Sequence, residues 1–247
     1  GYNKNIIINN ESLIIKDGKI NVIIGPNGSG KSTLFKTLCK QLKTKAGDII
    51  IDEKNIISFN NRQFAQKIGI LFQENISPNI NVRQLVSYGR FSHIGVFSNL
   101  SNEDNIIIDK ALTLTGTKQF ENMNINELSS GQRQLVWIAL LVTQNVKYLF
   151  LDEPTTYLDL KHQFEILDCL VKLNKEEQKT IIMILHDINL AIQYADNIIV
   201  MKNGKIVKNG GPREIITTDL IQQVFEIDAN VVCNKGRIYC VPQRKLF

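Results

Sequence analysis

Gly25-Pro26-Asn27-Gly28-Ser29-Gly30-Lys31-Ser32-Thr33 fills the pattern G-x-x-x-x-G-K-[ST], a loop that cradles phosphate. The apolar run Ile20 to Ile24 ahead of it reads as a short buried strand, and Leu34 to Gln41 behind it continues as a helix. A chance match would lack that order of strand, glycine-rich turn and helix. The glycines allow backbone shapes that a Cβ atom forbids. They also let successive N–H groups face an anion at the positive end of a helix. Lys31 adds a mobile cation for the outer phosphates and Ser32 an oxygen ligand for Mg2+. The stretch predicts a bound nucleoside triphosphate. The alternative, a glycine turn that binds nothing, leaves the flanking elements unexplained.

Toward the N-terminus, Asp17-Gly18 separates two apolar runs and predicts a hairpin. Tyr2 stands alone before them, either as an anchor packed on the core or as a ligand contact. Toward the C-terminus, Asp48 to Ile51 predicts a strand, and Ile68 to Phe72 another that ends on Gln73. In open α/β sheets ligands sit at the carboxyl edge of the strands, so a polar residue at a strand end is a candidate for the site. The same reasoning selects two further places. Tyr148 to Leu151 ends on Asp152 and Glu153, and Thr180 to Leu185 ends on His186.

Between Asn81 and Val142 the periodicity becomes helical: Val82 to Tyr88, then Ile106 to Leu112 behind a Ser101…Asp104 capping pattern, then 131 to 142 around Trp137. These predict a helical lobe inserted into an α/β core. A helix near 161 to 173, a hairpin turned by Asn203-Gly204, and a helical and stranded tail from 212 complete the chain.

The chain has 247 residues, enough for one large domain, and is 43% hydrophobic and 21% charged, as an ordinary globular protein is. Its net charge of +5 suits an anionic ligand or a membrane surface. There is no basic run interleaved with aromatics, so direct nucleic-acid binding is not expected. Cys39, Cys169, Cys233 and Cys240 form no metal-binding spacing and are expected to be free thiols in a reducing cytosol. The best apolar run, Leu135 to Leu151, is broken by Thr143, Gln144, Asn145 and Lys147, so a soluble chain without a membrane span is expected. No signal peptide is read, and because the chain begins on Gly1 its natural N-terminus is expected upstream.

The strand-end residues divide the labour that phosphoryl hydrolysis calls for. Asp152 can hold Mg2+ directly or through water. Glu153, one residue on, can act as general base on the attacking water. His186 can orient that water or bond the γ-phosphate, although a lone histidine is commonly structural.

With these residues in view, the chain resembles an ATP-binding cassette ATPase, the nucleotide-binding subunit of an ABC transporter. Leu128-Ser129-Ser130-Gly131-Gln132 resembles the family signature L-S-G-G-Q, Tyr148 to Glu153 the Walker B segment and Thr156-Tyr-Leu-Asp159 the D-loop. Gln73 resembles the Q-loop glutamine, which also approaches the metal, His186 the switch histidine, and Tyr2 the aromatic that stacks on adenine. Ser130 departs from the signature's usual glycine. The resemblance assigns the phosphate contacts to Ser129 and Gly131, with Gln132 and Asp159 nearby, so the change is expected to be tolerated.

The fold implied is a P-loop NTPase, RecA-like core with an antiparallel β subdomain and an inserted α-helical subdomain. Residues 1–80 and 145–210 would form the nucleotide-binding core, 81–144 the helical subdomain, and 211–247 a tail. The activity implied is hydrolysis of ATP with Mg2+ by a head-to-tail homodimer. In that dimer, ATP lies between the P-loop of one copy and the signature of the other. A coupling helix of a membrane permease would enter a groove near Gln73 on the cytoplasmic side, with an extracytoplasmic binding protein engaged only indirectly.

Gly89-Arg-Phe-Ser-His93 is similar to the G-R-x-P-H element of importer ATPases for iron-siderophores, haem and cobalamin. The tail stretches Gly211 to Ile216 and Val224 to Ala229 resemble the same branch. Ser92 replaces the proline, and His93 reads as a surface or packing residue. Uptake of an iron chelate or cobalamin is the function this implies. Alternatives are a soluble ABC ATPase unconnected with transport or one serving another substrate class. The absence of a coiled-coil insertion and of a basic arm speaks against the first. Glu153 and His186 speak against an inactive subunit, and the lack of N-K-x-D against a GTPase.

Overall fold

The protein was analysed as a computed structural model that describes residues 6–73, 75–94 and 99–243. In chain order the elements are β1 (Ile20–Ile24), α1 (Lys31–Leu38), β2 (Ile50–Ile51), β3 (Lys54–Asn55), α2 (Asn61–Ala65), β4 (Ile68–Leu71), α3 (Val82–Ser87), α4 (Asn102–Leu114), α5 (Ser130–Thr143), β5 (Tyr148–Leu151), α6 (Leu160–Glu177), β6 (Thr180–Ile184), α7 (Ile188–Tyr194), β7 (Asn197–Lys202), β8 (Lys205–Gly210), α8 (Pro212–Ile215), α9 (Thr218–Phe225), β9 (Ala229–Asn234) and β10 (Arg237–Pro242). They fall into two compact units, residues 1–56 with 180–247, and residues 57–179.

In the first unit β1 lies between β6 and β7, parallel to both, and β8 returns antiparallel to β7. Ile20, Val22, Ile23 and Ile24 are all buried, as are Ile181 to Ile184 and Ile198 to Met201. Continuous apolar runs are what strands covered on both faces require. The β8 edge carries Lys205 and Lys208 instead, which discourages further pairing. Asn203 (φ 50) and Gly204 (φ 75) form the tight turn the sequence predicts between β7 and β8. The tail stays with this unit: the Asn189 amide on α7 donates to the Cys240 carbonyl at 3.0 Å and accepts its N–H at 2.8 Å.

The hairpin expected around Asp17-Gly18 is corrected. The turn is there, but residues 11–16 form no strand. The side chain of buried Asn21 takes the bonds a ladder would have made. Its Oδ1 accepts from Lys16 N at 3.1 Å, and its Nδ2 donates to the carbonyls of Lys16 (2.9 Å) and Lys19 (3.1 Å). Asn197, the register partner of Asn21 on β7, joins the same network at 3.2 Å.

In the second unit β4 and β5 pair in parallel, Ile68 against Tyr148 through Leu71 against Leu151. The helices α3, α4 and α5 enclose a core of their own, in which Val82, Leu85, Ile108, Leu112, Ile125 and Val136 are fully or almost fully buried and Trp137 packs at the margin. Ser101 and Asp104 cap α4 reciprocally, as the pattern predicts. The segment resembling G-R-x-P-H fastens the C-terminal end of α5. Arg90, itself buried, donates to the Thr143 carbonyl at 2.9 Å and to Asp104 Oδ1 at 2.8 Å, and His93 Nε2 bonds the Gln144 carbonyl at 2.7 Å. Cations and ring N–H groups at a helix C-terminus satisfy its last carbonyls.

Candidate functional site

The phosphate loop belongs to the first unit. Pro26 accepts from Ser29 N at 3.2 Å to close the turn, and Gly204 N, at the tip of the β7–β8 hairpin, donates to the Ser29 carbonyl at 2.9 Å. Gly25 is buried so closely against Met201 that a Cβ would overlap its carbonyl oxygen. Gly30 starts α1 at φ 100, a left-handed backbone, and no side chain caps this helix. Lys31 is buried and folds over the loop, donating to the carbonyls of Gly25 (2.8 Å) and Pro26 (3.0 Å). The buried hydroxyl of Ser29 has no partner among the described residues. Asn27, Gly28 and Ser32 are exposed, whereas Thr33 is buried beneath the loop. His186 is also in this unit, exposed between β6 and α7, next to Asp187, whose carboxylate caps α7. Tyr2 lies outside the described residues.

The second unit holds the remaining candidates in two clusters. Asp152 is buried at the end of β5, its N–H paired with the Leu71 carbonyl at 2.8 Å. Glu153 then leaves the extended backbone of the strand, at φ 51. Glu153 Oε2 accepts from Gln73 Nε2 at 2.8 Å and from Thr156 Oγ1 at 3.1 Å. Two donors on one oxygen hold the carboxylate in a defined orientation. In the sequence Thr156 reads only as the first residue of the D-loop resemblance, and its bond to Glu153 is not signalled there.

The other cluster is at the start of α5. Ser129 is the helix cap: its hydroxyl accepts from Gln132 N at 3.3 Å, and Gln132 Oε1 accepts from Ser129 N at 3.0 Å. Ser130 is the first helical residue and is exposed, so the departure from glycine there meets no obstruction. Gly131 is buried against His162, whose ring occupies the space a Cβ would need. Asp159 caps α6 and bonds His162 twice, through its N–H and its ring. Nothing in the sequence signalled His162.

Among the described residues no group of three or more His, Cys, Asp or Glu is placed to hold a metal, and no helix is long and apolar enough to cross a membrane. The four cysteines are free, and burial pushes the Cys169 thiol up to about 12.

Residues 8–156 match the model of the family described as ABC transporter. Over 233 residues the chain is 43% identical to the iron(3+)-hydroxamate import ATP-binding protein FhuC of Bacillus subtilis (strain 168), which spans 94% of this chain and 87% of that protein. Over 247 residues it is 40% identical to the petrobactin import ATP-binding protein FpuD of Bacillus anthracis, spanning 99% of this chain and 90% of the relative. Among solved structures it is similar to the dimeric, post-hydrolysis state of the ATP-binding cassette MJ0796 bound to ADP and Pi, with a TM-score of 0.73, 31% identity, and coverage of 86% of this chain and 94% of the other.

Proposed function

This chain belongs to the ABC transporter ATP-binding family, and we propose that it is the ATP-hydrolysing subunit of an importer that takes up an iron chelate. The observation that carries the reading is the Glu153 carboxylate, fixed by Gln73 and Thr156 in a chain that also holds a complete phosphate loop. Likeness to two iron-chelate import proteins over nearly the whole chain supports the transported class. One of those relatives is named for hydroxamates and the other for petrobactin, and the identities differ by little. The chelate is therefore chosen elsewhere, by the permease and a binding protein.

In this reading the backbone N–H groups from Gly28 to Thr33 and the ammonium of Lys31 hold the β- and γ-phosphates. Lys31 already rests on two carbonyls, so it exchanges those for phosphate oxygens rather than entering from solvent. The Ser32 hydroxyl and the Asp152 carboxylate are the groups that would hold Mg2+, which would supply charge neutralisation on the phosphates. An ion that arrives on phosphates needs only one or two protein oxygens, so this donor set fits it. Glu153 takes the proton of the attacking water, Gln73 keeps the carboxylate aimed, and His186 bonds the γ-phosphate end. Tyr2 stacks on adenine. Pro26 and Asn27 shape the loop.

A second copy, head to tail, supplies the other half. Its Ser129 hydroxyl and Gly131 N–H, with Gln132 and Asp159 beside them, close over the γ-phosphate. Hydrolysis removes that shared anion and lets the copies part. The dimer sits peripherally on the cytoplasmic side of the membrane, with a permease coupling helix received near Gln73, a binding protein reached only through the permease, and no nucleic acid.

The test pairs chemistry with transport. Glu153→Gln should leave ATP binding intact, lower turnover by roughly 10²–10⁴-fold and trap an ATP-bound dimer. In cells lacking the chain, uptake of labelled ferric hydroxamate, ferric catecholate, haem and cobalamin is then compared. Loss of one of the three iron compounds, restored by wild type and not by Glu153→Gln, supports the reading, and loss of cobalamin alone would contradict the iron-chelate class. Unchanged uptake of all four would overturn the importer assignment, and unchanged turnover in the variant would remove Glu153 from the base role.

A further inference from the structure

His162 belongs to none of the nucleotide-binding motifs, yet it touches two of them. It lies in the first turn of α6, and Asp159 Oδ1 receives both its backbone N–H at 2.9 Å and its ring Nδ1 at 2.8 Å. A carboxylate at Nδ1 selects the tautomer with its proton there. The two bonds, the backbone one first, hold the Asp159 carboxyl below the usual carboxylate range. The other side of the ring is pressed on Gly131 in the first turn of α5, with Cδ2 and Cγ where a Cβ would stand. The imidazole is only 23% exposed, although Asp159 is 66% exposed. The ring thus bridges the starts of two helices, one carrying the signature glycine and the other the aspartate of the D-loop.

We propose that His162 is a positioning residue that locks the start of α5 and the D-loop into one block, so that Ser129, Gly131 and Asp159 meet a second copy's nucleotide together. This rests on the head-to-tail reading above. It assigns the glycine of the signature a purpose besides access to phosphate: Gly131 makes room for the ring. If Gly131 acted only by exposing its N–H, a methyl group there would harm the protein whatever occupied position 162. If it acts through the ring, most of the harm of the methyl group disappears once the ring is gone, leaving only the His162 Cβ, 2.8 Å from the added carbon, to ease aside.

A double-mutant cycle in the Glu153→Gln background separates the two. The readout is the dissociation constant of the ATP-dependent dimer, measured by sedimentation, with ATP affinity and thermal melting followed in parallel. Gly131→Ala and His162→Ala should each weaken the dimer by about tenfold, the loss of one charge-assisted hydrogen bond. The double variant should also lose about tenfold, because the same bond is broken once. His162→Asn, whose Nδ2 takes the place of Nδ1, should return to within about threefold of the parent. For the His162 variants, ATP affinity of the monomeric chain, measured well below the dimer's dissociation constant, should be unchanged, since the phosphate loop is untouched.

A double variant weakened about a hundredfold would overturn the inference, and so would an Asn variant as weak as the Ala variant. Should Gly131→Ala fail to fold, the contrast between His162→Ala and His162→Asn still decides. A Glu153→Gln parent that does not dimerise with ATP would strike the functional reading itself and this inference with it. A parent that dimerises while the cycle is additive would strike the inference alone.

Discussion

The helices α1 and α5 both open on a segment expected to face phosphate, and they open in opposite ways. α1 begins on Gly30 in a left-handed conformation, with no side-chain cap and no acid in its first turn. α5 begins on Ser129 in extended backbone, with a reciprocal cap to Gln132. A helix start presents four N–H groups without internal partners. At α1 the N-cap residue, Gly30, has no side chain to compete for them, and the Lys31 ammonium lies over the same loop. At α5 the N–H of Gln132 is already satisfied, although a hydroxyl that accepts one bond keeps its own proton to donate. In the proposed reading the first is a standing anion site, and the second is completed only when an anion is carried to it. That difference is what an ATP shared between two copies calls for, because a signature segment that bound phosphate by itself would not need the partner.

The comparison breaks most easily at Lys31. Lys31→Ala removes the cation that lies over this loop and should weaken ATP binding by about 10²-fold, the scale of a charge-assisted hydrogen bond. Calorimetry on the nucleotide-free chain measures it. Unaltered affinity would mean that α1 is not the primary anion site, and the contrast with α5 would lose its first member.

The conditional site must be rigid to be useful, and its far end is held by the buried pair of Arg90 and Asp104. The Ser101 N–H, then the Arg90 guanidinium and the Ser101 hydroxyl, hold the Asp104 carboxyl down at about 2 against an ordinary 3.8. A folded-state value below the unfolded one contributes stability that is present above pH 4 and is lost as pH falls toward 2. The loss should be on the order of 2 kcal/mol. Acid unfolding followed by circular dichroism, compared with Asp104→Asn, checks it: the gap between the two should narrow by that amount across this window. A constant gap would show that Asp104 does not stabilise the α5 anchorage through its charge.

These two ends of the argument were not equally legible. The phosphate loop could be read outright, because its geometry is local and a handful of glycines, a lysine and a serine dictate it. Asp152 could be read because four apolar residues deliver it to a strand end. The Gln73–Glu153 bond joins residues 80 positions apart, so each appeared as a strand-end residue and their contact did not. The hairpin at Asp17-Gly18 was expected because polar Asn21 was not seen as a side-chain bridge that could replace a strand ladder. The Gly89 to His93 segment was legible only as a branch resemblance. Its physical duty at the end of α5 emerges from carbonyls more than fifty residues away, at Thr143 and Gln144. His162 was invisible for the same reason, since its place depends on how α6 packs on α5.

The smallest expected effect is the sharpest test of the contrast. Ser129→Ala removes the cap of α5 and the hydroxyl proton together, leaving α1 and its loop as they are. Loss of a serine cap should cost about 1 kcal/mol of stability. ATP affinity of the isolated chain should stay within about twofold, because the standing site does not involve α5. Turnover at dimer-forming concentrations should fall about tenfold, because the conditional site has lost one of its donors. Ser129→Asp isolates the second term. Its carboxylate can still cap the helix, since aspartate is among the preferred residues there, but it brings a negative charge toward the phosphate. Restored stability with still lower turnover is therefore expected. If Ser129→Asp instead recovered both, the role of Ser129 would reduce to capping, and the two helix starts would differ in structure without differing in function.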